Sequence, residues 1–248
     1  MKNLKVKVLK NLKIKMAKEF ESTVLETKNL TDSVKLIRFS LPEQFTFIPG
    51  QYLSVTRIAE GKKLRTPYSI ASPCGKNFGE FCVKVINVGK TSSYLNTLKK
   101  GDKLELFGPF GRFTIDENSK PKDLIFISSG TGISVFASMI PSLLAEGFSK
   151  KIILIKGFRT ENEILYDMEF QKLGKKYPNF EFHNVLSQPK EKEFENKGHV
   201  QDFLDKIIPS GFKGDFYLCG LSEMIEDVKN KLKTSGIPEK RIFYESYD

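Results

Sequence analysis

The chain is poor in the residues that hold metals and covalent cross-links. Its 248 residues include three cysteines and two histidines. Cys74, Cys82 and Cys219 are odd in number and scattered, so they offer neither a disulfide framework nor the C-x-x-x-x-C-x-x-C run of a plant-type iron–sulfur cluster. No metal site is expected. Long apolar runs are missing too: none approaches the roughly 20 residues that span a bilayer, and the N-terminal lysines lack the apolar core of a secretory signal. A cytoplasmic address without a membrane span is the expectation. There is no internal repeat, and only the lysine-rich residues 1–15 approach low complexity.

What is present is enough for packed cores: 40% apolar residues, 21 of all residues being Phe, in a length that suits two domains of about 120 residues. The net charge of +10 is unevenly spread. Residues 1–20 carry an excess of +6 and residues 21–118 of +4, whereas residues 119–248 hold 19 basic and 19 acidic side chains. No aromatic-interleaved basic stripe follows the tail, so nucleic-acid binding is not expected. Two readings of the tail stand side by side: a basic half that docks an acidic protein, or an upstream extension with Met16 as the true start.

Residues 20–118 alternate like short antiparallel strands, at 22–28, 34–41, 51–56, 68–72, 80–86 and 103–113, with a helix at 91–98. That spacing predicts an antiparallel β-barrel. The polar residues 116–123, with Pro121, mark a domain boundary. Beyond it, apolar strands at 123–128, 151–157, 180–186 and 215–220 alternate with helices at 135–145, 166–177, 200–207 and 222–234. This predicts a doubly wound parallel sheet whose ligand lies at the carboxyl ends of the strands, where Gly130, Gly157 and Gly220 fall. Residues 1–19 are read as a basic extension, 20–118 as the barrel and 119–248 as the α/β domain.

The stretch Ser128-Ser-Gly-Thr-Gly-Ile-Ser134 joins the first of those strands to a helix. Gly130 and Gly132 let the backbone turn sharply near a ligand, and the helix aims free N–H groups and its positive dipole end at whatever lies above, which suits phosphate. Cys219, before Gly220, sits at the carboxyl edge of another strand, as a small buried hydrophobe or as part of a site. Cys74, Cys82 and His183 read as packing residues, and Lys84 as a solvated strand face.

Pro49-Gly-Gln-Tyr, Tyr68-Ser-Ile-Ala-Ser, Gly89-Lys-Thr-Ser-Ser-Tyr-Leu, Gly108-Pro-Phe-Gly-Arg-Phe, Ser129-Gly-Thr-Gly-Ile, Leu218-Cys-Gly and Tyr244-Glu-Ser-Tyr occur in this order. In that order, from about Phe20 to Asp248, the chain resembles the ferredoxin–NADP reductase family. The resemblance implies a flavin-binding antiparallel β-barrel followed by a doubly wound nicotinamide-nucleotide domain, FAD as cofactor and NADPH or NADH as coenzyme. It implies an enzyme that moves hydride between NAD(P)H and FAD, and single electrons to or from a separate carrier. The carrier would be an acidic ferredoxin or flavodoxin; the alternative is a reductase component serving an oxygenase. A non-enzymatic flavin or nucleotide module is the remaining rival, separated from both by whether NAD(P)H is oxidised with artificial acceptors.

Carried over residue by residue, the resemblance puts Tyr68 against the flavin ring, Ser69 near its reactive nitrogen and Ile70 beside them. Arg65 stands for the arginine that neutralises the flavin pyrophosphate, although it is one position further from Tyr68 than the family's Arg-x-Tyr-Ser. Gly89, Thr91, Ser92 and Ser93 open a helix that would hold the pyrophosphate. Gly130, Thr131, Gly132, Cys219 and Gly220 would receive the coenzyme, Glu245 would assist proton traffic, and Tyr247 would stack on the flavin until nicotinamide displaces it. Gln188 replaces the arginine of the family's NADPH users, while Lys190, Lys192 and Lys197 supply cations and His199 takes an aromatic's place. Loss of a fork-shaped cation removes about 1.5–3 kcal/mol of charge-assisted contact, so weak discrimination between the coenzymes is expected.

Overall fold

The computed structural model describes residues 17–59, 61–85, 90–191, 193–209 and 211–247. Gly89, Lys192, Asp248 and residues 1–16 lie outside the described residues.

The first half is a curled antiparallel sheet in the order β4-β3-β6-β1-β2-β5. Its strands are β1 (Lys18–Asn29), β2 (Val34–Ser40), β3 (Tyr52–Ala59), β4 (Lys62–Ser69), β5 (Phe78–Lys84) and β6 (Lys103–Phe110). The curl brings the two edges together just past β4, where the Ala71 N–H donates to Glu80 O at 2.8 Å. Inside lie Val24, Ile37, Phe39, Leu53, Val55, Phe81 and Leu106, each worth about 1.5–3 kcal/mol in burial. Gly79 lies opposite Phe39 in the register, and a Cβ there would come within 2.5 Å of the Phe39 ring. The missing side chain is what lets that ring rest 4.4 Å from Phe81. Helix α1 (Lys90–Thr97) is tied to β2 by Lys35, whose Nζ donates to Asn96 O (2.6 Å) and Leu98 O (3.0 Å). A buried cation thus meets carbonyls that a helix end leaves unpaired.

Two strand expectations need correction here. The fourth strand is Lys62–Ser69, not 68–72, and it forms a hairpin with β3. Its lysines, Arg65 and Pro67 masked it, yet all suit an edge strand, where a proline costs no ladder bond and charges discourage pairing. The first strand begins at Lys18 and pairs through Lys18↔Gly108, so two residues of the expected extension are strand.

The second half is an all-parallel sheet in the order β11-β10-β7-β8-β9. It comprises β7 (Leu124–Ser129), β8 (Ile152–Phe158), β9 (Phe180–Leu186), β10 (Asp215–Gly220) and β11 (Ile242–Ser246). The helices are α2 (Ile133–Ala145), α3 (Asp167–Lys176), α4 (Leu204–Ile207) and α5 (Ser222–Thr234). Two cores form, one per face, which is why the strands read as unbroken apolar runs. The expected helix at 200–207 is a 3-10 turn, Val200–Phe203, running into the one-turn α4. β11 was not anticipated; it is short and half exposed, and only its place beside β10 makes it a strand.

The halves share one core. Val34, Ala71, Cys82 and Phe113 join Phe136, Met139 and Ile140 of α2. Along α2, Ser138 Oγ donates to Ser72 O (2.7 Å) and Ser142 Oγ accepts the Cys74 N–H (3.2 Å).

Candidate functional site

Strand order reverses between β7 and β10, the crevice where doubly wound sheets bind ligands. Ser129 leads into the turn Gly130–Gly132, which opens α2. Gly130 has φ +53° and open space beyond its Cα; Gly132 has none, because a Cβ would lie 2.3 Å from Cys219 O. The turn therefore presses on the end of β10, and Ser129 Oγ accepts the Leu221 N–H at 3.2 Å. Gly130 and Thr131 line a small pocket of about 50 Å³ with Phe158, Glu163 and Leu165, closed from the barrel by Thr31, Ser33, Val34 and Lys84. Another pocket, of about 240 Å³, lies by Lys18, Phe20, Phe45 and Pro109 and is lined by none of the expected site residues.

The C-terminus folds into this crevice. The Tyr247 N–H donates to Gly220 O at 2.9 Å. Its hydroxyl lies 3.4 Å from Ser134 Oγ in the first turn of α2 and also interacts with Ser69 and Cys219. Ser69, Cys219, Glu245 and Tyr247, spread over nearly 180 residues of sequence, are thus brought together between the halves. Burial raises the Tyr247 hydroxyl and the Cys219 thiol well above their ordinary values, in each case reinforced by a neighbouring acidic group. A thiol so held is protonated near neutrality, which suits contact with a ligand and not nucleophilic attack.

Glu245 pairs with Cys219 across β10 and β11. Burial pushes its carboxyl up to about 7, and Oε2 has no hydrogen-bond partner among the described residues. The register carries the row on through Ser128 and Lys156 to Asn184. Cross-strand partners share a face, so the row crosses the sheet on the side turned to the barrel. Ser128 Oγ and Asn184 Oδ1 are likewise without partners among the described residues. Lys156, fully buried, donates to Leu165 O (3.1 Å) and Asp167 Oδ1 (3.0 Å).

On the barrel side, the β3–β4 register decides what faces the crevice. Leu53↔Tyr68, Val55↔Thr66 and Arg57↔Leu64 share the core face; Ser54↔Pro67, Thr56↔Arg65 and Ile58↔Lys63 share the other. Tyr68 rests 5.6 Å from Phe81, and burial pushes its hydroxyl up to about 12. Thr66 Oγ1 lies 2.8 Å from Thr91 Oγ1 in the first turn of α1, beside buried Ser92 and half-buried Ser93. Arg65 is not brought there. It pairs with Glu19 and lies over the Phe107 ring at 4.2 Å. Ile70 is also absent from the crevice wall, its side chain being fully buried in the barrel core. The arginine on the Tyr68 face is Arg57, 4.2 to 5.5 Å being the range of such ring contacts here, with Arg57 at 5.5 Å over Tyr94 of α1. Counting by twos from Tyr68 finds Thr66, and the hairpin partner of Leu64 finds Arg57; the sequence reading missed both because it lacked the hairpin.

At the end of β9, Gln188 and Lys197 are both exposed, and the segment carrying Lys197 is joined to the strand end by the Leu186↔Lys197 bridge and by the Gly198 N–H to Leu186 O bond of 2.8 Å. His199 caps the turn at Val200 through Asp202, and His183 lies 3.8 Å from Glu181. The orphaned Glu245 oxygen, the hydroxyl pair at the start of α1 and the turn before α2 fit a flavin dinucleotide on the barrel side and a second nucleotide on the sheet side.

Comparisons with known proteins agree with this division. Residues 21–115 match the model described as an oxidoreductase FAD-binding domain, and residues 126–230 the oxidoreductase NAD-binding domain. The chain is 34% identical over 242 residues to the phenol hydroxylase P5 protein of Acinetobacter pittii, covering 94% of this chain and 66%, just under two thirds, of that protein. It is 28% identical to ferredoxin–NADP reductase B of Sorangium cellulosum, over 94% of this chain and 99% of the relative. The crystal structure of a ferredoxin NADP+ reductase from Neisseria gonorrhoeae, with bound FAD and NADP, superposes with a TM-score of 0.80 at 20% identity, over 92% of this chain and 98% of the other. Among the described residues, no helix is long and apolar enough to cross a membrane.

Proposed function

This chain belongs to the ferredoxin–NADP reductase family of FAD- and NAD-binding oxidoreductases, and from that premise we propose that it moves reducing equivalents between NAD(P)H, FAD and a one-electron carrier. The observation that carries the reading is the meeting of Ser69 from the barrel with Cys219, Glu245 and Tyr247 from the sheet in one crevice. Residues 20–118 hold the FAD and residues 119–248 the coenzyme. A bound flavin would supply the redox chemistry, hydride acceptance and one-electron release, while the protein aligns the rings and keeps out water.

Each side chain has a task in that arrangement. Tyr68 gives the flavin an apolar wall. Ser69 offers a hydroxyl beside the ring, and Glu245 a carboxyl that holds or gives up a proton near neutrality at Oε2. Tyr247 covers the crevice and gives way to nicotinamide. Thr66, Thr91, Ser92 and Ser93 take the flavin pyrophosphate at the start of α1, with Arg57 as the cation in place of Arg65. Gly130, Thr131, Gly132 and Gly220 receive the coenzyme pyrophosphate and ribose.

The carrier is an acidic protein of the ferredoxin or flavodoxin kind, drawn to the basic first half; the cytoplasm is the compartment we assign. The likeness to the phenol hydroxylase P5 protein favours a second reading, in which the acceptor is an oxygenase component. Purified protein should be yellow and release FAD. Anaerobic titration with NADH and with NADPH, followed by visible absorbance, should bleach the flavin; protein that binds no FAD on reconstitution overturns the proposal.

A further inference from the structure

Glu161 begins the 3-10 turn Glu161–Glu163 that follows β8, and its carboxylate crosses to the loop leaving β9. Oε1 accepts the N–H groups of Lys190 (2.9 Å) and Glu191 (3.0 Å), and Oε2 accepts that of Lys190 at 3.1 Å. The two loops are stitched further by Ser187 N–H to Phe158 O (3.1 Å) and Gln188 N–H to Arg159 O (2.8 Å). Successive backbone N–H groups that converge on one point make an anion cradle. Here the chain fills the cradle with its own charge, and those N–H groups, led by that of Glu191, hold the carboxyl below the usual range.

The place of this carboxylate in the sheet gives it a consequence. In a doubly wound sheet the coenzyme pyrophosphate sits at the first strand–helix turn, here Gly130–Gly132, and the adenosine ribose reaches past the end of the next strand outward. That next strand is β8, and its end is the segment carrying Arg159 and Glu161. A coenzyme with a 2′-phosphate would bring a dianion to this edge; one without it brings a neutral hydroxyl that a carboxylate can accept from. We propose that Glu161 is a specificity-determining residue that biases the chain toward NADH. The inference rests on the reading of the α/β half as the coenzyme domain. Arg159, Lys190 and Lys197, exposed cations at the same edge, oppose the carboxylate and keep the bias modest.

The test compares wild type, Glu161→Gln and Glu161→Ala as FAD-loaded full-length proteins. Calorimetry gives the affinities for 5′-ADP and 2′,5′-ADP, and stopped-flow gives flavin reduction by NADH and NADPH. Glu161→Gln, which keeps the shape and loses the charge, should tighten 2′,5′-ADP about fivefold at low salt with 5′-ADP changed less than about twofold. Glu161→Ala, which also frees the N–H pair, should gain more, and NADPH reduction should rise in parallel. If 5′-ADP binds and NADH reduces the flavin, yet neither variant improves 2′,5′-ADP or NADPH relative to its partner, the role of Glu161 is overturned and the coenzyme domain stands. If neither adenylate binds and neither coenzyme reduces the flavin, the coenzyme reading falls and takes this inference with it.

Discussion

The barrel side of the crevice is built from the face of a strand, whereas the sheet side is built from the ends of strands, and the two respond differently to the same kind of sequence change. On β4 the pointing direction alternates at each residue, so a cation one position out of place belongs to the opposite face. Arg65 shows this: it pairs with Glu19 over Phe107 while Thr66 takes the position beside Thr91. At the ends of β7, β8, β10 and β11 the direction of all four strands is the same, and whatever follows each strand reaches one edge. Loop length there can vary without turning a side chain away. Face-built sites obey parity; end-built sites obey topology.

The tightest point of the end-built side gives the largest expected effect. Gly132→Ala would set a Cβ 2.3 Å from Cys219 O and 2.7 Å from Gly220 N, backbone atoms that cannot step aside. We expect a loss of about 3 kcal/mol or more in urea unfolding, together with loss of coenzyme reduction. Gly130→Ala, two residues away, meets nothing within 4 Å and pays only for φ +53°, about 1 kcal/mol. Equal losses for the two would show that the turn does not press on β10, and that strand ends are less constrained than the contrast requires.

Parity is tested on the other side. Arg57→Ala should weaken FAD binding by about 10- to 100-fold, the worth of a charge-assisted contact of roughly 1.5–3 kcal/mol. Arg65→Ala should change it less than about twofold and cost at most about 1 kcal/mol of stability, as an exposed ion pair does. Titration of the apoprotein with FAD measures both. The reverse ranking would mean that Arg65 swings across the strand edge and that the register argument fails.

The same contrast explains what could be read without coordinates. The apolar runs at 124–129, 152–158 and 215–220 are buried on both faces, so composition alone marks them, and their order with the helices gives the parallel sheet. The glycine turn and Cys219 follow directly, because they lie where such strands end. In the barrel the signal is alternation, and β4 hides it: Lys62, Lys63, Arg65 and Pro67 are all exposed, on an edge strand. Without the β3–β4 hairpin there was no register, and without register no reason to prefer Thr66 and Arg57 to Arg65. β11 was invisible for another cause, since five residues of which Ile242 alone is buried become a strand only against β10. Glu161 carries no motif; its hydrogen bonds to the β9 loop exist only after β8 and β9 are side by side.

Glu245 belongs to a strand face on the end-built side, and its titration reports how well the crevice is sealed. Its folded value of about 7 lies above the ordinary carboxyl range because of burial. The folded state therefore holds the proton more tightly, so the neutral carboxyl's contribution is intact below about pH 4.5 and is lost as pH rises through about 7. Glu245→Gln should erase that loss, gaining about 1–2 kcal/mol over wild type at pH 8 and little at pH 4. Parallel stability profiles for the two proteins between pH 4 and 8 would show Glu245 to be solvated, and the row through Cys219 to be open.

Tyr247 stands where the two kinds of site meet, and its substitution carries the smallest expected effect. Its backbone N–H bond to Gly220 O does not depend on the side chain, so Tyr247→Ser should leave the C-terminus docked on β10. What goes is the ring, and with it the hydroxyl's contacts to Ser134 and to Ser69 across the halves. Those contacts are worth about 0.5–1.5 kcal/mol, and in the proposed arrangement nicotinamide displaces them to reach the flavin. Coenzyme affinity, read from flavin absorbance, should therefore tighten by about two- to tenfold. Because the gain comes from vacating the nicotinamide position that the two coenzymes share, NADH and NADPH should benefit together, and the ratio proposed to be set at the far edge by Glu161 should stay as it is. An unchanged affinity with unchanged flavin fluorescence would make Tyr247 a packing residue, and would leave the strand-face and strand-end sides of the crevice without the movable contact that now joins them.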